Sequence, residues 1–412
     1  MLSQKTIDII KQITPLVAEN AKAITRRFYE LMFDGDPEVR AFFNMAHQES
    51  GQQPEALANA VCAYFSAIEN LDTLGPVVEL IAQKHCSLNV QPEHYPIVGK
   101  YLLAAIKDVL GDPASDEIIE AVAEAYGLLA EVCINREKEI YAQQHAGDGG
   151  WSGYRKFVVQ RKEIESHEIT SFYLKPEDGQ PLPSFKPGQY ITVQIDHPVT
   201  PTSPRNYSLS DSAEKGYFRI SVKREVAKVP NAPDGLISNY LHDEIQVGDS
   251  LNVGPPCGEF TLDPSTVGDQ PIAFLAGGVG ITPLLSMAKT LVDYAVLSPI
   301  YFIHASRNSS VHAFSLEVNQ MISDKDFVST FFVYDDPLDT DVENGKCDAT
   351  GFLNTEFIRM NTPHQDARFY ICGPKPFMEQ ALESLKELGV CESRIHYEFF
   401  GPKQELVSTA SV

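Results

Sequence analysis

The sequence predicts a multidomain chain of class α + β + α/β: an all-α module, then an antiparallel β-barrel, then an α/β module around a parallel sheet. Three observations carry that prediction. Up to about position 145, apolar residues recur at three- and four-residue steps, as in Ile7, Ile10, Ile13 and Val17, which is the period of one helix face. After Trp151, short β-branched and aromatic runs alternate with Gly and Pro turns, the pattern of a small barrel. From about 268, longer apolar runs alternate with helical stretches, which calls for parallel strands joined by crossover helices. A chain of 412 residues also exceeds the size at which a single core keeps growing.

In the helical part, Val98, Leu102, Ala105 and Val109 mark one face. Ile118, Val122, Ala125, Leu129 and Val132 mark another, on a long last helix over roughly 115–143. Asp36-Pro37, Gly75-Pro76, Gln91-Pro92 and Asp112-Pro113 fall where helices begin or connect. Ala146 to Gly150 is a flexible, glycine-rich junction. The expected division is 1–146 for the helical module, 147–153 for a linker, 154–265 for the barrel and 266–412 for the α/β module. Barrel strands are expected at 157–159, 170–174, 190–193 and 218–222. The parallel sheet is expected to use 272–276, 300–303 and 368–372, with helices over 283–294 and 376–388.

A net charge of -23 argues against nucleic acid or an anionic membrane as partner, because both would repel the chain. Seven cysteines are present and none forms a Cys-x-x-Cys pair, which speaks against a disulfide framework or a structural zinc site. The first residues have no apolar signal core, and no run of about 18 apolar residues occurs. A cytoplasmic location is therefore expected. No amphipathic stretch is left over for an interface, so a monomer is the default.

Two segments of the last modules carry chemistry. The order strand, Gly277-Gly278-Val279-Gly280-Ile281-Thr282-Pro283, helix is a phosphate-binding arrangement. Its glycines let the backbone approach a pyrophosphate, and the helix offers free N–H groups and a positive dipole end. It is not the G-x-G-x-x-G of the common dinucleotide fold, and taken alone it is equally well a tight turn without ligand. Arg205-Asn206-Tyr207-Ser208 follows a turn and leads into a strand. Its guanidinium matches a phosphate, and Tyr207 can lie on a flavin ring. A strand with one surface arginine is the alternative.

With Cys372-Gly373-Pro374 behind them, residues 154–412 resemble the ferredoxin–NADP reductase family. That resemblance implies that Tyr190, Arg205, Asn206, Tyr207 and Ser208 bind FAD. Phe399, Phe400, Gly401 and Pro402 would cover the flavin, with Phe400 on its ring. Gly277, Gly278, Val279, Gly280, Ile281 and Thr282 would hold the NAD(P)H pyrophosphate, and Cys372, Gly373 and Pro374 would lie beside the nicotinamide. Arg307 follows the strand at 300–303, where a cation could favour a 2′-phosphate. Preference for NADH or NADPH stays open.

Among the histidines before position 150, only His85 shares an apolar helical register, with Val77, Val78 and Ile81 behind it. Such a histidine is more often a satisfied core residue than a ligand. A helical module of this size can nevertheless enclose a haem, whose iron takes a histidine. Residues 1–145 resemble a bacterial globin, through Phe28-Tyr29, Phe42-Phe43-Asn44-Met45, Gln53-Pro54-Glu55-Ala56-Leu57, Ile81-Ala82-Gln83-Lys84-His85 and Ile134-Asn135-Arg136-Glu137. End to end, the chain resembles the flavohaemoglobins, which are nitric oxide dioxygenases.

That resemblance makes His85 the proximal ligand of a haem b iron, with Tyr95 and Glu137 behind it. Tyr29 and Gln53 would hydrogen-bond dioxygen on the distal side, Phe43 would wedge the haem, and Leu57 would narrow the pocket. Lys84 and Glu398 would tune electron transfer. The implied activity moves hydride from NAD(P)H to FAD and single electrons on to haem, converting NO and O2 to nitrate. Two other functions remain open: an FAD-dependent NAD(P)H reductase of free flavin, ferric iron or quinone, and a haem-based O2 or NO sensor. Pro54, next to Gln53, is tolerated in a first helical turn, which suggests that the distal helix starts near Gln53; an earlier start would allow a kink that moves the Gln53 side chain.

Overall fold

The computed structural model describes residues 2–43, 52–195, 204–213, 215–227, 234–323 and 325–400, without the side chains of Gln52, Gln53, Ile322 and Ser323. The chain divides into two compact units. One is built on residues up to Tyr154 together with Thr192–Arg205, and the other carries most of two sheets.

The described helices of the first unit are α1 (Gln4–Gly35), α2 (Gln52–Ser66), α3 (Gly75–Ser87), α4 (His94–Leu110) and α5 (Asp116–Ala146). Helix α1 starts on Ser3, whose Oγ accepts the Thr6 N–H at 3.1 Å. Ile10, Ile13, Val17, Ile24, Phe28 and Met32 then form one buried stripe along it. Pro15 lies inside α1, away from any helix start, so one carbonyl lacks its helical donor. The buried stripe continues on both sides of it. Helix α5 is capped by Ser115 and has Asp116 and Glu117 in its first turn, where the helix dipole favours negative charge. Pro54 is the third described residue of α2, and the residues just before Gln52 lie outside the described ones.

β1 (Arg155–Ile164), β2 (Ile169–Pro176), β3 (Tyr190–Gln194), β4 (Arg205–Ser208), β5 (Phe218–Lys223) and β6 (Ser250–Val253) form a sheet in the order β4-β3-β6-β1-β2-β5. Strand β1 pairs antiparallel with β2 and β6, and β2 with β5. A bridge from Leu209 to Ile220 joins the continuation of edge strand β4 to edge strand β5 and closes the barrel. Helix α6 (Leu236–Asp243) follows β5. Arg205–Ser208, expected to lead into a strand, itself forms β4.

The second sheet has the order β10-β9-β8-β7-β11-β12 and is parallel throughout. Its strands are β7 (Ile272–Gly277), β8 (Ile300–Ser306), β9 (Val328–Tyr334), β10 (Ala349–Thr350), β11 (Arg368–Cys372) and β12 (Ile395–Glu398). Helices α7 (Ile281–Asp293) and α8 (Ser315–Ser323) cover one face through Leu284, Leu285, Met287 and Val318. On the other face, α10 (Thr355–Asn361) and α11 (Lys375–Glu387) pack through Ile358, Met378 and Leu385, with short α9 (Asp339–Glu343) in the chain before them. Burial on both faces is why 272–276 reads as a continuous apolar run.

Candidate functional site

Three helices bring His85, Tyr95 and Glu137 together. His85 sits in the last turn of α3, Tyr95 near the start of α4, and Glu137 in the middle of α5. Glu137 Oε1 accepts from His85 Nδ1 at 2.7 Å and from Tyr95 Oη at 2.5 Å, and Tyr95 Oη lies 3.0 Å from the same ring nitrogen. Glu137 is only 2 % exposed. A carboxylate so deeply buried is stable only with donors such as these. Burial, and then the hydrogen bond to Glu137, push the Tyr95 phenol far above its ordinary range, so Tyr95 serves as a donor. Burial followed by the Glu137 charge raises the neighbouring Cys133 thiol to about 11.

An acceptor-only carboxylate fixes the proton on His85 Nδ1, so Nε2 carries the lone pair. That donor set fits a haem iron: a neutral imidazole with one basic nitrogen available and a carboxylate behind it. The helix register is tied one position from Glu137. Arg136 on α5 donates to Glu79 on α3 from Nε at 2.5 Å and from Nη2 at 3.1 Å.

Tyr29 and Phe43 come together within the main helical core, with ring centroids 5.6 Å apart, and Phe43 also meets Phe33 edge-on at 5.5 Å. Leu57 packs against the same cluster. These residues form an apolar wall holding one buried phenol, 7 % exposed. The side chain of Gln53 lies outside the described residues. Lys84 is exposed on α3 and Glu398 ends β12, each in its own unit.

The nucleotide motifs meet where the strand order reverses. From β7, the chain's next strands run outward through β8, β9 and β10, while β11 lies on β7's other side, with Ala276 opposite Cys372. Ligands of open α/β sheets bind in the crevice at such a switch point. There Gly277, Gly280 and Gly373 leave no room for side chains. A Cβ at Gly280 would overlap the Cys372 carbonyl, and one at Gly373 would stand 3.0 Å from the Gly277 Cα. Gly278 adopts φ +52 with nothing within 4 Å of its missing Cβ, an open position in a left-handed conformation. Thr282 Oγ1 donates to the Val279 carbonyl at 3.0 Å, and α7 starts at Ile281. A bare backbone at a helix start fits a pyrophosphate. Burial, then the Glu398 charge on the neighbouring strand, push the Cys372 thiol well above its usual value, so it stays protonated.

On the flavin side, Tyr190 opens β3 and Arg205–Ser208 forms its neighbour β4, so both parts of the expected FAD set share one sheet edge. Gly258, at φ +111, lies under the Tyr190 ring, where a Cβ would stand 3.0 Å away. Phe399 packs on the core of the parallel sheet and Phe400 is 48 % exposed, a ring free to lie on a planar group. Gly401 and Pro402 lie outside the described residues.

Several functional positions carry no sequence signal. His304, 1 % exposed, donates from Nε2 to the Gly278 carbonyl at 3.0 Å and so braces the phosphate loop. Burial holds it neutral, with its pKa lowered to about 4. Arg307 donates to Glu168 of the barrel at 2.8 Å. The cation marked for a 2′-phosphate is thus already engaged by a carboxylate. Asp211, Arg219, Lys289 and Glu317, from both β-containing modules, meet in one cluster.

Comparison with known proteins covers all these parts. The globin family matches residues 26–133, the oxidoreductase FAD-binding domain 156–262 and the oxidoreductase NAD-binding domain 274–383. A flavohemoprotein of Rhodopirellula baltica is 61% identical over 408 residues, 99% of this chain and 100% of that one. One from Halalkalibacterium halodurans is 48% identical over 99% of each. The crystal structure of flavohemoglobin from Malassezia yamatoensis, with bound FAD and heme, superposes with a TM-score of 0.84 at 27% identity, covering 97% of this chain and 100% of that one. The FAD/NAD-binding domain of nitric oxide dioxygenase from Vibrio cholerae covers 60% of this chain and 99% of its own, with a TM-score of 0.53 at 34% identity.

Proposed function

The chain belongs to the flavohemoprotein family, oxidoreductases that use haem, FAD and NAD(P)H, and from that premise we propose that it is a nitric oxide dioxygenase, converting nitric oxide and dioxygen to nitrate. The His85–Tyr95–Glu137 triad, with its phenol and carboxylate buried, carries the proposal, because it makes the iron ligand basic. When bound, FAD splits the hydride of NAD(P)H into single electrons, and the haem supplies the iron at which dioxygen and nitric oxide combine.

The chain's own residues bind, orient and shield. His85 holds the iron through Nε2, while Glu137 keeps the proton on Nδ1. On the distal side the Tyr29 hydroxyl would donate to dioxygen, a role proposed for Gln53 as well, whose side chain lies outside the described residues, and Phe43 and Leu57 would exclude water there. Tyr190 and Arg205–Ser208 would hold FAD, and Phe399 and Phe400 would cover it; Gly401 and Pro402, assigned the same role, lie outside the described residues. The backbone of Gly277–Thr282 receives the pyrophosphate, and Cys372–Pro374 bound the nicotinamide as neutral groups. Lys84 and Glu398 bias electron transfer by their opposite charges. The enzyme works as a monomer on small molecules, and a single gel-filtration peak at the monomer mass checks that.

The test supplies purified protein with NADH, dioxygen and a nitric oxide donor. Nitric oxide consumption with stoichiometric nitrate is expected. His85→Ala should abolish consumption while NADH still reduces the flavin. A His85→Ala protein that consumes nitric oxide at the parent rate would overturn the proposal.

A further inference from the structure

Four charged side chains are clustered between the barrel and the nucleotide-binding sheet, all within the second unit. Arg219 of β5, 3 % exposed, donates to Glu317 of α8 at 2.9 Å and lies 3.7 Å from Asp211. Lys289 of α7 pairs with both Asp211 and Glu317. Tyr217 donates to Asp211 at 2.8 Å, and Arg219 to the Ser210 backbone. Burial pushes the Asp211 carboxyl up, but Arg219 and Lys289 outweigh it and hold the group below its ordinary value. Arg219 and Lys289 thus face Asp211 and Glu317, and the Glu165 carboxyl, pushed up by burial, lies within reach of Arg219 and Glu317.

Around it, α7 presents a polar stripe at Ser286, Lys289, Thr290 and Asp293, three and four residues apart on one face. The barrel residues Asp211, Ala213 and Lys215 dock on that stripe. Ser286 Oγ donates to the Asp211 carbonyl at 2.7 Å, Ala213 N–H to Thr290 Oγ1 at 3.2 Å, and Lys215 meets Asp293 at 3.0 Å. Segment 211–215 begins three residues after flavin strand β4 ends at Ser208, and α7 begins where the glycine phosphate loop ends. The stripe thus links the strand that carries the flavin motif to the helix that carries the nucleotide loop. Apolar residues of the same volume would hold such a seam at least as firmly as buried ion pairs. What directional ion pairs add is one fixed register.

We propose that Asp211, Arg219, Lys289 and Glu317 are positioning residues for hydride transfer, setting the register of α7 against β4 and so the approach of nicotinamide to flavin. The proposal rests on the family's NAD(P)H–FAD chemistry and not on the nitric oxide reaction. Transfer demands reacting atoms roughly 3–3.5 Å apart, and a displacement of about 1 Å costs on the order of a hundredfold in rate.

The test is anaerobic flavin reduction by NADH in the full-length holoenzyme, followed in a stopped-flow instrument without nitric oxide. In Lys289→Met, the saturating rate should fall by about tenfold or more with half-saturation changed by less than about threefold, as expected for lost alignment. Lys289→Arg should restore most of the rate. Amide exchange across 211–215 and α7 should rise in Lys289→Met, a readout independent of turnover. Lys289→Met/Glu317→Gln removes one cation and one carboxylate together, leaving the net formal charge unchanged, which protects folding, and should show the same rate loss. Parent-like reduction rates in that FAD-replete double variant would overturn the proposal. So would loss of FAD from both variants, since the cluster would then hold the barrel together rather than align it. A parent protein that reduces its flavin but consumes no nitric oxide would sink the dioxygenase assignment and leave this one standing.

Discussion

The iron-ligand site and the nucleotide cradle are built on opposite principles. Around His85, function comes from side chains that are present: a phenol and a carboxylate, buried and mutually hydrogen-bonded. At the β7–β11 crevice, function comes from side chains that are missing at Gly277, Gly280 and Gly373. A site made of functional groups is tuned by degrees, because each hydrogen bond can be weakened separately. A site made of empty space fails abruptly where the space is bounded by backbone, as at Gly280 against the Cys372 carbonyl, because backbone cannot move aside.

The largest effect expected from this contrast is at Gly280. In Gly280→Ala the new methyl overlaps the Cys372 carbonyl, and relief requires shifting a buried strand end, at about 3 kcal/mol or more. NADH-dependent flavin reduction should fall at least about a hundredfold, with a matching drop in the denaturation midpoint. Parent-like stability and rate would break the contrast.

Glu137→Leu should rank second. It leaves Tyr95 and His85 without their acceptor, at about 1–3 kcal/mol for the stranded donors. The iron–histidine stretching frequency in resonance Raman spectra should drop, with nitric oxide turnover. Glu137→Gln should fall between Leu and the parent, and an all-or-none response there would contradict graded tuning.

The next effect is on pH dependence. Burial lowers His304 to about 4 and, with His304 adding to it, His312 to about 2, from an ordinary 6.5. Between pH 6.5 and 4 the unfolded chain therefore binds protons that the folded chain excludes, so stability falls as pH falls. Each histidine contributes up to about 1.4 kcal/mol per pH unit in that window. Denaturant titrations at successive pH values should show this slope, and His312→Gln should flatten it; an unchanged slope would mean that His312 is not held neutral. The smallest change is expected for Arg136→Met, which unties α5 from Glu79 at about 0.5–1 kcal/mol. It should lower the melting temperature slightly and broaden the same Raman band.

How much was legible in the sequence follows the same division. Helix faces and the apolar runs at 272–276 and 368–372 were readable because burial imposes a period. The glycine motif was readable because few residues can replace a missing side chain. His85 stood out by register, but its partners Tyr95 and Glu137 emerged only through resemblance, since a tyrosine after a proline and a glutamate among charges look ordinary. Strand β6 has four residues, too few for alternation to register. Asp211, Arg219, Lys289 and Glu317 are scattered along the chain and resemble solvated charges until the fold brings them together. Pro15 shows the opposite failure: a helix breaker by type is overridden by the packing of the helix around it.

The protonated Cys372 thiol has a further consequence for a protein that works among oxidants. Nitrosating and oxidising species attack thiolates far faster than thiols. Cys372 is buried beside Glu398, and Cys133 behind the haem ligand is raised to about 11. Both are kept in the unreactive form where damage would stop turnover. Cys391, the one exposed cysteine among the described residues, has a lowered pKa and sits beyond the end of α11. Among the described cysteines, the thiol most ready to ionise is thus the one on the surface.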